Sequence, residues 1–273
     1  MNKVYQVYQV SDSTGETLDR IFLALKAQFS NFNCKTIHYS FTRTKNQIDK
    51  IISNSKSEKN VIILYTIVDK NLAQYLVTET KKYNIPNFEV LGNLITGFSK
   101  LLKQEATQIP SGQHVLDEEY YKRIEAVQFT MSHDDGKIVS DLEKSDVILV
   151  GISRTSKTPT SIYLANRGYK VSNIPIILKK NLPEKLFESS KKTFVVGLVC
   201  DANRLLDVRR NRIQSMHEDR SVNYTSELEI LKEIENSKKL FKKNNWPIID
   251  VTRKSVEETA ASIIKTLDIL NSR

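Results

Sequence analysis

The chain has 273 residues, 40% hydrophobic and 27% charged, a composition that supports one large or two modest cores without disulfide staples. Its formal charge of +9, from 41 basic and 32 acidic residues, suits phosphorylated ligands or an acidic protein partner, but no nucleic-acid module signature accompanies it. No apolar run approaches the ~20 residues that span a bilayer, the alternating segment 1–10 lacks a signal peptide's apolar stretch, and Cys34 and Cys200 are not in paired spacing. The expectation is a reduced, cytoplasmic protein with no membrane and no nucleic-acid partner.

Val4–Val10 reads as a β-branched and aromatic strand running into the polar loop Ser11–Thr17. Ile21, Phe22, Leu25 and Phe29 then recur at helical spacing, and Ser13 with Glu16 has the spacing of a capping box. Asn60–Val68 is a near-continuous apolar strand, followed by helical segments near 72–83 and 94–105. Pro110 and Gly112 mark a break, Asp117–Met131 reads as a helix, and His133-Asp134-Asp135-Gly136 as a polar turn.

The rhythm then restarts. Strand Asp146–Val150, helix Thr160–Asn166, strands Ile174–Leu178 and Thr193–Cys200, and helix Asn203–Ser215 follow one another. Helix Ser226–Lys243, strand Pro247–Val251 and helix Val256–Leu270 complete the series. The fold class expected is α/β with two α/β units, 1–144 and 145–273. The second is a P-loop kinase-like domain with a mostly parallel sheet; a single continuous sheet is the alternative.

The sharpest chemical feature is Gly151-Ile152-Ser153-Arg154-Thr155-Ser156-Lys157-Thr158, directly after the apolar strand. It is one substitution from the Walker A pattern, with Ser156 where glycine is usual. Gly151 lets the chain turn off the strand, and successive loop N–H groups can ring a phosphate. Lys157 can reach the terminal phosphate and Thr158 can offer a hydroxyl to Mg²⁺. If position 156 needs a positive φ, serine there costs about 1–2 kcal/mol. Asp201, at the end of the 193–200 strand, is a candidate second metal ligand, or else the N-cap of the next helix.

The run Gly151–Asn166 resembles the signature of the bifunctional kinase/phosphorylases that regulate pyruvate, phosphate dikinase or phosphoenolpyruvate synthase. Val10–Thr17, Arg123–Ala126 with His133–Gly136, and Asn173–Pro175 are similar to other signatures of that family, so the resemblance covers nearly the whole chain. It implies two opposed activities. One transfers phosphate from ADP to a dikinase threonine, inactivating it and releasing AMP; the other removes that group with inorganic phosphate, releasing pyrophosphate. Synthase regulators carry Cys-Gly-Lys-Thr where dikinase regulators carry Thr-Ser-Lys-Thr, and Thr155-Ser156-Lys157-Thr158 falls with the latter. The protein partner expected is pyruvate, phosphate dikinase, and a homodimer is compatible with the sequence.

The remaining polar clusters have open roles. Asp134 or Asp135 could accept the threonine proton and His133 could carry one as well; a plain turn is the alternative. Ser11–Thr17 could hold a phosphate or touch the target beyond capping its helix. Arg204, Arg209, Arg210 and Arg212 either clamp phosphate or form a solvated face. His38, His114 and His217 lack companions at metal-ligand spacing. The rival functions are a small-molecule P-loop kinase and a nucleotide-sensing module without chemistry.

Overall fold

The structure, a computed structural model, describes residues 3–112, 116–177, 180–216 and 226–272. The last residue of the strand expected to reach Leu178, and His114 and His217, lie outside the described residues. The chain divides into two compact units, 1–115 and 116–273. Each is an α/β layer on a parallel four-stranded sheet, the fold class that the alternating strand and helix patterns predict.

The first unit runs β1 (Tyr5–Ser11), α1 (Glu16–Lys26), β2 (Cys34–Tyr39), α2 (Lys45–Lys56), β3 (Val61–Thr66), α3 (Lys70–Lys82), β4 (Asn87–Glu89) and α4 (Gly92–Leu102). The strand order is β2-β1-β3-β4, all parallel. Tyr8 and Val10 of β1 meet Ile48, Ile51, Leu72 and Leu76 of α2 and α3 on one face. Val7 meets Leu18 and Phe22 of α1 on the other.

The capping box expected from Ser13 and Glu16 does not form. Gly15 occupies the N-cap with φ 93°, no side chain caps the helix, and Glu16 is therefore the first helical residue and not the third. Ser13 Oγ instead lies 2.8 Å from Ser111 Oγ. Capping boxes stand elsewhere, at Thr44–Gln47 and Ser255–Glu258.

The second unit runs α5 (Glu118–Ser132), single 3₁₀ turns at Asp134–Gly136 and Leu142–Lys144, β5 (Val147–Ile152), α6 (Lys157–Ala165) and β6 (Val171–Ile176). It continues through α7 (Glu184–Ser189), β7 (Phe194–Val199), α8 (Ala202–Met216), α9 (Glu227–Lys243), β8 (Ile248–Asp250) and α10 (Val256–Asn271). The order β6-β5-β7-β8 places β5 inside the sheet. Its residues Val147 to Val150 are at most 1% exposed, because helices cover both faces. Leu149 joins Leu164, Leu205 and Ile263 on one side. Ile148 and Val150 join Phe241 and Trp246 on the other. Each of these buried aliphatic side chains stabilises the strand by roughly 1.5–3 kcal/mol. Gly197 on β7 lets α9 come close, since a Cβ there would sit 2.3 Å from the Phe241 ring.

β6 is tied to what precedes β5. The Val171 N–H donates to Thr130 Oγ1 at 3.0 Å, and the Asn173 N–H donates to the His133 carbonyl at 3.1 Å.

Candidate active site

The chain order reverses between β5 and β7, so the carboxyl end of β5 lies at a topological switch point, where open parallel sheets gather ligands. The loop from Ser153 to Ser156 starts there. Gly151 cannot be replaced without movement, because a Cβ would stand 2.8 Å from both the Leu198 carbonyl and Thr155 Oγ1. Arg154 and Ser156 adopt left-handed backbone, φ 73° and 57°, so the non-glycine residue at 156 does occupy a strained position.

The loop's carbonyls are drawn away from its amides. Thr155 Oγ1 and Lys157 Nζ both donate to the Ile152 carbonyl, at 2.9 and 3.0 Å. Arg209, 1% exposed, donates to the Ser153 carbonyl at 3.3 Å and pairs with Glu233 at 2.6 Å. Among the described residues nothing accepts from the N–H groups of Thr155, Ser156 and Lys157. Three successive N–H groups without an acceptor at a helix start are suited to an oxyanion.

Lys157 is 6% exposed. Burial pulls its pKa down to about 8, against the opposing pull of Asp135 and Asp134. Both carboxylates belong to the 3₁₀ turn after α5. Asp134 Oδ1 accepts from Thr158 Oγ1 at 2.9 Å and from Asn173 Nδ2 at 2.6 Å, and Nδ2 also reaches Thr158 Oγ1 at 3.1 Å. Asp135 is exposed, has φ 53°, and no hydrogen bond from a described residue engages its carboxylate.

His133 lies beneath this turn. Its ring stacks on Phe129 with centroids 3.8 Å apart. Nδ1 is 2.8 Å from the Phe129 carbonyl and Nε2 2.9 Å from Asp141. The imidazole beside it holds the Asp141 carboxyl below the usual carboxylate range. His133 is thus placed as a support for the turn.

Asp201 is exposed and its Oδ1 accepts from the Asn203 and Arg204 N–H groups, at 2.9 and 3.4 Å, so it caps α8. The Thr158 hydroxyl bonds to Asp134 and Asn173, and no hydrogen bond brings Asp201 to it. Arg204, Arg210 and Arg212 are exposed, unlike Arg209. His38 is exposed and pairs with Asp19 at 3.1 Å. Among the described residues there is no cluster of three His, Cys, Asp or Glu side chains suited to a metal, and no helix long and apolar enough to cross a membrane. Cys34 and Cys200 are free thiols.

Sequence reasoning gave Asn173 no role and left Arg209 undistinguished from its neighbours. The sequence reading begins this strand at Ile174, whereas β6 starts at Val171, so Asn173 lies inside it and in register with Leu149 of the strand that launches the loop.

The model of the kinase/pyrophosphorylase family matches residues 7–264, and the chain belongs to that family. It is 58% identical over 269 residues to a protein of Pelagibacter ubique (strain HTCC1062), covering 98% of each chain. It is 43% identical over 261 residues to one of Chelativorans sp. (strain BNC1), covering 95% of each. With one of Anaplasma marginale (strain Florida) it shares 41% over 271 residues, 99% of this chain and 96% of the other. All three carry the name "Putative pyruvate, phosphate dikinase regulatory protein".

Proposed function

We propose that this protein is a cytoplasmic regulator of pyruvate, phosphate dikinase that transfers phosphate in two opposed reactions. In one, the β-phosphoryl of ADP passes to a threonine hydroxyl of the dikinase and AMP leaves. In the other, inorganic phosphate takes that phosphoryl group, freeing the hydroxyl and forming pyrophosphate. The single observation that carries the reading is the buried Lys157 at a helix start where, among the described residues, nothing accepts from the Thr155, Ser156 and Lys157 N–H groups, within electrostatic reach of the two carboxylates of one turn. The relatives' shared name supports the choice of target, as does Thr155-Ser156 in the loop.

In this reading the residues Gly151, Ile152, Ser153, Arg154, Thr155 and Ser156 shape the phosphate cradle. Its N–H groups and the Lys157 ammonium neutralise the oxygens of the transferring group. Asp135, exposed and with no hydrogen bond from a described residue to its carboxylate, accepts the threonine proton as the new P–O bond forms, and returns it in the reverse direction. Asp134 is held too firmly by Thr158 and Asn173 to serve that role as well. A divalent cation such as Mg²⁺, when bound, supplies further charge neutralisation at the phosphates.

The test incubates the purified protein with the dikinase and either ADP or ATP, follows phosphothreonine by mass spectrometry, then adds inorganic phosphate and assays pyrophosphate. ADP-dependent labelling reversed by phosphate is the expected result. Labelling of phosphoenolpyruvate synthase instead would move the target, and no labelling of either would sink the regulatory reading.

A further inference from the structure

Three oxygen-bearing side chains from three separate elements converge at the start of α6: Asp134 from the 3₁₀ turn, Thr158 from the helix, and Asn173 from β6. One of them carries an unexplained atom. Asn173 is 0% exposed, and among the described residues its Oδ1 finds no hydrogen-bond donor. Leaving a buried amide oxygen unpaired costs roughly 1–3 kcal/mol. The neighbouring buried Ser172, by contrast, is paired with Ser145 at 2.7 Å.

We propose that Asp134, Thr158 and Asn173, and not Asp201, are the protein ligands of a divalent cation at the phosphate loop. The proposal rests on the phosphotransferase reading above and names the metal ligands within it. A carboxylate, a hydroxyl and a side-chain amide are hard oxygen donors of the kind that Mg²⁺ or Mn²⁺ takes. Mg²⁺ in phosphoryl-transfer sites needs only one or two carboxylates, with waters and phosphate oxygens completing its shell. This accounts for a site without a cluster of acidic or histidine ligands among the described residues.

The hydrogen bonds of the structure fit that role. The Asn173 –NH₂ and Thr158 –OH now direct protons at Asp134 Oδ1, standing in for positive charge. The amide's two ends have the same outline, so a half-turn of the Asn173 side chain puts oxygen where nitrogen now lies, 2.6 Å from Asp134 and 3.1 Å from Thr158. The Thr158 hydroxyl can likewise turn its proton away and offer a lone pair. The backbone keeps the ligands in place meanwhile, since the Asn173 N–H is bonded to the carbonyl of His133, next to Asp134. Asp201 is already engaged as a helix cap.

Mn²⁺ binding to the full chain, followed by water-proton relaxation with ADP present, tests this. Asp134→Asn and Asn173→Ala should weaken Mn²⁺ binding at least tenfold, and Asp201→Asn should leave it within twofold of the parent. Asn173→Asp preserves the outline and adds a charged ligand, so it should bind Mn²⁺ at least as tightly as the parent. A residue serving only to bond Asp134 would lose binding in that variant through carboxylate repulsion, and that result overturns the proposal. So does a tenfold loss confined to Asp201→Asn, or an absence of Mn²⁺ binding in a parent that binds ADP. Metal-free ADP titration of the parent keeps the two readings apart: without ADP binding the phosphotransferase reading itself fails. Thermal melts of each variant establish that losses are not unfolding.

Discussion

Lys157 turns back on its own loop, its Nζ donating at 3.0 Å to the Ile152 carbonyl five residues earlier. The ammonium is thereby held, nearly dehydrated, where an incoming phosphate oxygen would replace the carbonyl as its partner. Burial lowers its pKa to about 8, against the opposing charges of Asp135 and Asp134, so the charged form is disfavoured in the folded protein. At 1.36 kcal/mol per pKa unit the burden is of the order of 3 kcal/mol at pH values below about 8.

Replacing the lysine by an uncharged chain of similar length should therefore separate stability from function. Lys157→Met is expected to raise the melting temperature of the ligand-free protein by several degrees while weakening ADP binding and both transfer reactions more than tenfold. Calorimetric melts and an ADP titration on one preparation check both halves. A variant that melts lower and keeps either activity would show that the ammonium acts elsewhere.

In the proposed reaction the two neighbouring carboxylates have different roles. Asp135→Asn should leave ADP binding within a few-fold of the parent but lower threonine phosphorylation at least a hundredfold, the range of general-base contributions. Single-turnover transfer assays, run beside binding titrations, distinguish lost chemistry from lost affinity.

Ser156 is left-handed at the start of α6. Ser156→Gly removes that strain, offset in part by the freedom glycine adds to the unfolded chain. A net gain of about 1 kcal/mol is expected, read as a rise in denaturant midpoint with unchanged slope. A loss would mean that the serine side chain supports the loop.

The basic stretch of α8 should prove uneven. Arg209→Ala strips a buried partner from Glu233 and from the Ser153 carbonyl, and is expected to cost roughly 3–5 kcal/mol and loosen the phosphate loop. Arg210→Ala, at an exposed position, should stay within about 0.5 kcal/mol of the parent. Equal effects in chemical denaturation would overturn the role given to Arg209.

These contrasts show where sequence reasoning reached and where it stopped. The strand before the loop was legible because Val147–Val150 is apolar at every position, the mark of a strand covered on both faces. α2 was not recognised, although Ile48, Ile51 and Ile52 have helical spacing, because the polar residues between them dilute the pattern. Glu16 suggested a capping box because spacing alone cannot show that Gly15 takes the N-cap. The meeting of Asp134, Thr158 and Asn173 joins residues 15 to 39 positions apart and depends on how β6 lies beside β5, which no local pattern encodes. The burial of one arginine among four is likewise a matter of helix rotation.

The bonds that tie β6 to α5 have a consequence beyond the active site. β6 is the outermost strand on its side, and on its outer margin the Val171 amide is used by Thr130, the Asn173 amide by His133, and Pro175 has none to give. An extended segment from another molecule would find no free donor there. At the opposite margin β8 is only three residues long. Both margins of this sheet are thereby poor templates for an added strand, and the contacts that hold β6 beside the 133–136 turn are the same ones that use up its outward donors.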